Sequence, residues 1–151
     1  MFEIRYASPS DAAQLVELLV AQLSEHGLEA QREQVRRGMD VAFENRAPFL
    51  VAMEGGRAVG VCLANRIASI EHGGTVWVIE ELYVTPEARR RGVARALLRR
   101  LTAEGRAAGV RAFELAVMEG HEPARALYRS LRFRAQPRTS WALELVREGH
   151  G

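Results

Sequence analysis

The chain has 151 residues and a formal net charge of only +2 at neutral pH, which fits one globular domain and argues against nucleic-acid binding driven by overall charge. Its 21 basic residues are all arginine and are balanced by 19 acidic residues. The absence of lysine excludes sites that need a P-loop lysine, a kinase β3 lysine or a Schiff-base lysine.

The cysteine and histidine content excludes further kinds of site. Cys62 is the only cysteine, so no disulfide can form within the chain, and its apolar surroundings predict a small core residue rather than a nucleophile. His26, His72, His121 and His150 lack metal-ligand spacing, so no metal site is predicted. No signal peptide or long apolar run is visible, so we expect a cytoplasmic protein that does not contact a membrane.

Apolar patterning in the N-terminal half switches between a strand period and a helical period. Ser8-Pro9 is a typical helix start, and Glu54-Gly55-Gly56-Arg57 is a typical hairpin turn between runs of β-branched residues. In chain order the pattern predicts a strand at Phe2–Tyr6, helices at Ser8–Gly27 and Gln31–Glu44, and an antiparallel meander of strands at Pro48–Met53, Ala58–Ile67 and Val76–Val84.

The C-terminal half is predicted to continue with a crossover helix from Gly92 to Gly109, which returns the chain to a strand parallel to the preceding one. The elements predicted after this helix are a strand at Ala112–Val117, a short helix at Pro123–Leu131, and strands at Phe133–Gln136 and Thr139–Val146. The predicted fold is therefore an α/β (α+β) single domain over residues 1–151. Its mixed sheet has six to seven strands, and the N-terminal half of that sheet is antiparallel.

Charge occurs at two unexpected places between residues 76 and 108. Glu80 and Glu81 lie inside a predicted strand, where half-buried positions rarely carry charge. Arg89–Arg91 precede a helix start at Gly92, where the helix dipole already presents positive charge and unpaired N–H groups. Such a helix start is suited to binding a phosphate. A solvated arginine run in an arginine-rich protein is the alternative interpretation.

Three segments resemble motifs of the GNAT superfamily of N-acetyltransferases. Arg89-Arg90-Arg91-Gly92-Val93-Ala94 is similar to its pyrophosphate loop, Arg/Gln-x-x-Gly-x-Gly/Ala, and the preceding Glu81-Leu82-Tyr83-Val84-x-Pro86 is similar to its central strand. Glu122-Pro123-Ala124-Arg125-Ala126-Leu127-Tyr128-Arg129-Ser130-Leu131-Arg132-Phe133 resembles its second motif, Asn-x-x-Ala-x-x-Leu-Tyr-x-x-x-Gly-Phe. Together with the flanking elements, the resemblance covers nearly the whole chain.

The resemblance implies acetyl-CoA as the co-substrate and a twisted sheet with helices on both faces. It also implies that the central parallel strands splay apart so that the pantetheine arm can pair with strand backbone. A homodimer is compatible with it. The cofactor-binding residues that it implies are Leu82, Tyr83, Val84, Arg89, Arg90, Arg91, Gly92, Val93, Ala94, Arg95 and His121.

Acetyl transfer to an amine needs a base for the amine, donors for the oxyanion and an acid for the leaving thiolate. Glu80 or Glu81 can be the base, and we favour Glu81 because a regular strand places it on one face with Tyr83 and Trp77. A β-bulge could re-aim either glutamate. Tyr128 matches the motif tyrosine that protonates the thiolate. The alternatives are an ion-paired or solvent-facing glutamate and a core tyrosine.

Two positions depart from the family pattern. His121 stands where the second motif has asparagine, which helps to hold the cofactor arm, and Arg132 replaces the glycine before Phe133. These departures bear on the local turn and on cofactor affinity, not on the fold.

The leading hypothesis is an acetyl-CoA-dependent N-acetyltransferase that acts by direct transfer in a ternary complex. Two glutamates beside the acyl site suit a small cationic amine, such as a polyamine, an amino acid or an aminoglycoside. The segment from Val78 to Val84 also looks like the central strand of polyamine and thialysine acetyltransferases. The alternatives are a non-catalytic acyl-CoA-binding or sensor module, and a protein or peptide N-acetyltransferase. An arginine-rich nucleic-acid binder is disfavoured by the balance of charge.

Overall fold

A computed structural model describes residues 1–117 and 120–145 of the chain. It contains two compact units, Met1–Ala116 and Val117–Gly151. The single-domain organisation over residues 1–151 therefore stays a prediction. In the part that the structure describes, no helix is both long enough and apolar enough to span a membrane.

The first unit is built on a five-stranded sheet with the order β1-β2-β3-β4-β5. The first three strand pairings are antiparallel and the last is parallel. Its strands are β1 (Glu3–Tyr6), β2 (Phe49–Glu54), β3 (Arg57–Ser69), β4 (Gly74–Val84) and β5 (Ala112–Leu115), and its helices are α1 (Ala12–Glu25), α2 (Arg32–Glu44) and α3 (Val93–Ala107).

The two faces of the sheet are covered by different helices. Apolar residues of α1 and α2, among them Leu15 and Met39, form one core with Phe49, Val61 and Tyr83 of the sheet. Neighbouring residues of a strand point to opposite faces, and α3 covers the other face. The helices on both faces, the antiparallel N-terminal half and the parallel β4–β5 pair confirm the predicted architecture.

Close packing at two glycines fixes the position of α3 on the sheet. A Cβ atom added to Gly60 of β3 would lie 2.9 Å from Val93 Cγ1 and 3.2 Å from Leu97 Cδ1. A Cβ atom at Gly105 of α3 would collide with the ring of Phe113 on β5. The missing side chains at these two glycines let α3 lie close to β3 and β5, which fixes where the helix begins relative to β4.

In the part of the second unit that the structure describes there is one helix, α4 (Glu122–Ser130). The strands predicted at Phe133–Gln136 and Thr139–Val146 are wrong for the residues that the structure describes, since 133–145 contain no strand; Val146 lies outside them. The sheet accordingly has five strands rather than six to seven. Alternating apolar residues remain exposed in this segment, with Trp141 at 92% and Leu143 at 87%. Alternation favours a strand only when a neighbouring strand supplies the hydrogen-bond partners.

Candidate functional site

The parallel pairing covers only the first half of β4, because β5 ends at Leu115. β5 pairs with β4 only from Val76 to Ile79. From Glu80 to Val84, β4 therefore has no neighbour on this side among the described strands. We call this stretch of backbone the open edge.

A β-bulge lies at the start of the open edge. Leu63 of β3 pairs with Glu81, and the next residue, Ala64, pairs with Ile79. Glu80 is therefore the extra residue of a bulge, and its side chain is exposed. The bulge begins where β5 stops pairing.

The bulge changes which residues share a face. Glu81 is half-buried opposite Leu63, which packs against the α1/α2 core together with Tyr83. Trp77, before the bulge, lies against α3, because a Cβ at Gly105 would lie 3.3 Å from its Cε3 atom. The predicted shared face is therefore correct for Glu81 and Tyr83 and wrong for Trp77.

Glu81 has the electrostatic environment of a carboxylate that can exchange protons. Burial raises its pKa above the usual carboxyl value, and the negative charge of Glu80 raises it further. A raised carboxyl pKa suits a general base near neutral pH. The two adjacent glutamates thus have different environments, one solvated and one desolvated.

Two carbonyl groups of the open edge accept hydrogen bonds from side chains. The Thr85 N–H donates to Val59 O of β3 at 2.9 Å, so the alternate residues Leu82 and Val84 direct their backbone groups away from β3. Gln22 Nε2 of α1 donates to Leu82 O at 3.2 Å. Arg89 Nε donates to Val84 O at 3.0 Å. These two carbonyls are therefore already engaged, whereas the N–H groups of Leu82 and Val84 point to the side of β4 where no described strand pairs with it.

Arg89 is also held by α1. Its guanidinium donates to both carboxylate oxygens of Glu25, at 2.8 and 3.0 Å, and lies 5.5 Å from the ring centroid of Tyr83. The Tyr83 hydroxyl donates to the same carboxylate. Burial and the Glu25 carboxylate raise the pKa of Tyr83 to about 12. Burial alone would raise the pKa of Glu25, but hydrogen bonds from Tyr83 and Arg89 lower it overall.

Sequence reasoning missed Gln22 and Glu25. A signal was present for Gln22, because it continues the apolar stripe of Leu15 and Leu19 at helical spacing and is only 7% exposed. A polar residue at a core position of a helix marks a specific contact. The sequence contains no comparable signal for Glu25, because its partner Arg89 is 64 residues away.

The turn between β4 and α3 leaves a helix N-terminus without an acidic residue. Arg90 (φ 62°) and Gly92 (φ 80°) adopt left-handed backbone conformations, and Gly92 precedes the first residue of α3. No acidic residue lies in the first turn, and the first helical hydrogen bond runs from Ala96 N to Gly92 O. Outside the adjoining backbone, no heavy atom lies within 4 Å of a Cβ position at Gly92. The N–H groups of this turn can therefore meet an anion.

The three arginines before this turn have different partners. Glu25 holds Arg89, and Glu54 holds Arg91, whose Nη1 donates to a carboxylate oxygen at 3.0 Å. Arg90 forms no ion pair within residues 1–117 and 120–145. Of the other predicted residues, Val93 begins α3 and is buried against Gly60 of β3, and Ala94 and Arg95 are half-buried in the first turn of the helix. Arg90 is thus the arginine with the least competition from carboxylates.

Tyr128 and His121 belong to the second unit. The Tyr128 ring meets the Phe133 ring edge-on with centroids 5.9 Å apart, and the Phe133 N–H donates to Tyr128 O at 3.0 Å. His121 immediately precedes α4 and forms no side-chain cap bond. Arg132 has φ 72°, which explains why the family motif has glycine at this position. The catalytic role of Tyr128 stays a prediction.

Two other kinds of chemistry have little support in this structure. The described residues contain no group of three or more His, Cys, Asp or Glu side chains that could hold a metal ion. Cys62 is fully buried, and burial raises the pKa of its thiol to about 12, so it is a core residue as expected.

Comparison with known folds identifies similar proteins along almost the whole chain. A possible acetyltransferase from Clostridium difficile 630 has a TM-score of 0.84 and 20% identity, covering 97% of this chain and 99% of that one. A predicted acetyltransferase with acetyl-CoA from Clostridium acetobutylicum has a TM-score of 0.80 and 21% identity, covering 99% and 100%. The aminoglycoside acetyltransferase HMB0005 from an uncultured soil metagenomic sample has a TM-score of 0.74 and 25% identity, covering 97% and 99%.

A search of curated proteins found no match. The family model for acetyltransferases of the GNAT family matches residues 12–133. The match includes α1, the open edge, the arginine turn and the segment of α4 with Tyr128. The chain therefore belongs to the acetyltransferase (GNAT) family.

Proposed function

We propose that this acetyltransferase moves the acetyl group of acetyl-CoA to a small cationic primary amine, by direct transfer in a ternary complex. The observation that carries the proposal is the open edge of β4. It has a half-buried carboxylate, Glu81, at one end, and the chain continues from its other end into the bare N-terminus of α3. An acetyl-CoA-dependent acetyltransferase needs a base for the amine, a strand edge for the pantetheine arm and an anion site for the pyrophosphate, in that order.

The residues present fit acetyl-CoA. Its pantetheine arm carries amide groups, whose carbonyl oxygens can accept hydrogen bonds from the N–H groups of Leu82 and Val84; the carbonyls of these two residues already accept from Gln22 and Arg89. Its pyrophosphate can approach the α3 N-terminus closely, because Gly92 has no side chain and no neighbouring atom at the Cβ position. Arg90 can add a charge-assisted contact. Acetyl-CoA supplies the acetyl group as a thioester.

The chain's own residues then perform the proton transfers. Glu81 accepts a proton from the amine, directly or through water, and its raised pKa keeps it a competent base near neutrality. The backbone N–H of Leu82, directed to the open edge, donates to the carbonyl oxygen as negative charge develops on it. Tyr128 donates its phenolic proton to the departing thiolate.

The charge around the open edge supports a cationic acceptor. Glu80 and Glu81 lie on it, and the nearby ion pair of Arg89 with Glu25 adds no net charge. Carboxylates with few free cations attract an ammonium group and repel an anionic acceptor. One of the similar folds is named an aminoglycoside acetyltransferase, and aminoglycosides carry several amino groups, which supports this proposal.

The function is tested with acetyl-CoA and a panel of amines, by detecting the thiol of released coenzyme A. The panel contains n-butylamine, spermidine, kanamycin, lysine and a peptide with a free N-terminus. We expect thiol release with at least one of the small cationic amines and less with the peptide. Release with the peptide alone would favour peptide acetylation. Tight acetyl-CoA binding without release for any amine would favour a non-catalytic acyl-CoA-binding module.

A further inference from the structure

A cavity of about 230 Å³ lies beside β3, where that strand continues past the start of β2. The pairing of the two strands begins at Phe49 and Leu63, and β3 runs on to Ser69. Tyr6, the last residue of β1, and the connection between α2 and β2 also line the cavity. Among the described residues that line it, none belongs to the open edge or to the turn between β4 and α3. The cavity is therefore separate from the proposed acetyl-transfer site.

The walls of the cavity are largely aromatic. The rings of Phe43 and Phe49 stack with centroids 5.2 Å apart, and the buried Trp77 lines the cavity with them. An apolar cavity of about 150 Å³ is large enough to hold a benzene molecule. This larger cavity therefore has room for a benzene ring that carries a small polar group, and its walls favour an aromatic ligand.

Two arginines supply the polar part of the lining. Arg66 Nη1 donates to Arg46 O at 2.6 Å, and the Arg66 guanidinium lies 5.7 Å from the ring centroid of Trp77. These contacts hold the guanidinium at the aromatic wall and leave most of its N–H groups available. Arg46 has φ 53°, a left-handed backbone conformation that is uncommon for arginine. Such residues cluster at ligand sites, where the surrounding structure holds them.

The positive charge at the cavity is not balanced by neighbouring acids. No Asp or Glu is among the described residues that line it. Neither Arg46 nor Arg66 forms an ion pair within the described parts of the chain, residues 1–117 and 120–145. Next to Tyr6, Arg100 and Glu104 pair with each other at 2.8 Å and add no net charge. The ligand that fits this lining therefore carries a negative charge.

We propose that this cavity binds a small aromatic carboxylate, with its ring against Phe43, Phe49 and Trp77 and its carboxylate on Arg46 and Arg66. A planar carboxylate matches the paired N–H groups of a guanidinium. An inorganic anion would leave the aromatic walls without a partner. A neutral aromatic compound would leave the two guanidinium groups without a counter-charge.

The experiment measures ligand binding to the full chain by tryptophan fluorescence and calorimetry. The chain has two tryptophans, so the fluorescence of Trp141→Phe reports on Trp77 in the cavity wall alone. The probes are benzoate, benzamide and acetate. Benzamide keeps the ring of benzoate without its charge, and acetate keeps the carboxylate without the ring. Each probe is titrated with and without saturating acetyl-CoA.

Three variants test the two guanidinium groups. Arg66→Gln and Arg46→Asn each remove one, and asparagine tolerates the left-handed backbone at position 46. Arg99→Gln is the matched control, because it removes the same charge from an exposed arginine of α3 that does not line the cavity. A thermal melt confirms the folding of each variant.

We expect saturable benzoate binding that changes the fluorescence of Trp77, with benzamide and acetate each binding at least about tenfold more weakly. Arg66→Gln and Arg46→Asn should each weaken benzoate binding by about tenfold, as for the loss of a hydrogen bond to a charged group. Arg99→Gln should keep the wild-type affinity. Acetyl-CoA should leave the benzoate affinity unchanged, because it binds elsewhere.

An absence of saturable benzoate binding would overturn the proposal, and so would an unchanged benzoate affinity in both folded arginine variants. Equal affinities for benzoate and acetate would show that the rings do not hold the ligand. Loss of benzoate binding in the presence of acetyl-CoA would assign benzoate to the cofactor site. If an arginine variant does not fold, the ranking of the three probes on the wild type decides. None of these measurements depends on acetyl transfer, so failure of the proposed function is recognised separately.

Discussion

Arg89 and Glu25 are 64 residues apart in the chain, yet the Arg89 guanidinium donates to both carboxylate oxygens of Glu25 at 2.8 and 3.0 Å. Arg89 opens the turn that leads into α3, and Glu25 is the last residue of α1. The pair therefore joins the proposed phosphate site to the helix that carries Gln22. A carboxylate in this position competes with a phosphate for the same guanidinium.

Glu25→Gln should strengthen acetyl-CoA binding. Removing the carboxylate frees Arg89 for the phosphates, and one partly exposed charge interaction of about 1 kcal/mol corresponds to about fivefold in affinity. Calorimetry at low and high salt measures the effect, which should shrink as salt rises. Glu17→Gln is the control, because Glu17 is on the same helix and is paired with Arg32. Weaker binding in Glu25→Gln would mean that Glu25 orients Arg89 instead.

Arg90→Gln should weaken acetyl-CoA binding more than Arg91→Gln does. Arg91 is already engaged by Glu54, whereas Arg90 has no carboxylate partner in the described part of the chain. Loss of a charge-assisted hydrogen bond predicts a fall in affinity of about tenfold for Arg90→Gln. Equilibrium binding of acetyl-CoA to both variants decides, and equal losses would show that the ion pair with Glu54 does not restrain Arg91.

Glu80→Gln should shift the pH profile of kcat/KM toward lower pH. Glu81 must be ionised to accept a proton, so activity falls as the pH drops through its pKa. Burial first and then the charge of Glu80 raise that pKa, so removing the charge lowers it and extends activity to more acidic pH. The profile of the variant beside that of the wild type measures the shift, and Glu81→Gln should abolish this limb. An unmoved limb in Glu80→Gln would exclude Glu81 as the titrating base.

Tyr128→Phe should reduce kcat by about 10²- to 10⁴-fold, the usual contribution of a general acid. Acetyl-CoA affinity should change little, because the ring and its contact with Phe133 are kept. Turnover, calorimetry and a thermal melt on one preparation separate this from a packing role. Tyr6→Phe, on β1, serves as the control. Full turnover with a lowered melting temperature would make Tyr128 a packing residue.

Local patterns predicted most of the fold because local forces decide it. Turn glycines, helical apolar stripes and β-branched runs located the four α-helices and the five strands found in residues 1–117 and 120–145. The segments 133–136 and 139–145 fail the prediction because a strand also needs a partner, which no local alternation reveals. The side chains of Trp141, Leu143 and Leu145 are exposed, although their alternation is typical of a strand with one buried face.

The residues of the candidate site that belong to a sequence motif were predictable. The residues that reach the site through tertiary contacts were not. The arginine turn and the glutamate pair are visible in the sequence. The bulge at Glu80 is not, because it depends on how Leu63 and Ala64 of β3 pair with β4. It reverses the face of every residue after it, which is why Trp77 and Glu81 do not share one. Gln22 and Glu25 likewise depend on where α1 packs.

The proposed acetyl transfer is tested most directly by comparing acetylation of a primary amine by the wild-type protein, by Glu81→Gln and by Tyr128→Phe. The three proteins are incubated with acetyl-CoA and n-butylamine, spermidine or kanamycin, and product is identified by mass spectrometry alongside the released thiol. We expect one acetyl group on the amine for each thiol released by the wild type, and a large loss of both products in the two variants. Thiol release without acetylated amine, or wild-type rates in both variants, would contradict the proposed transfer.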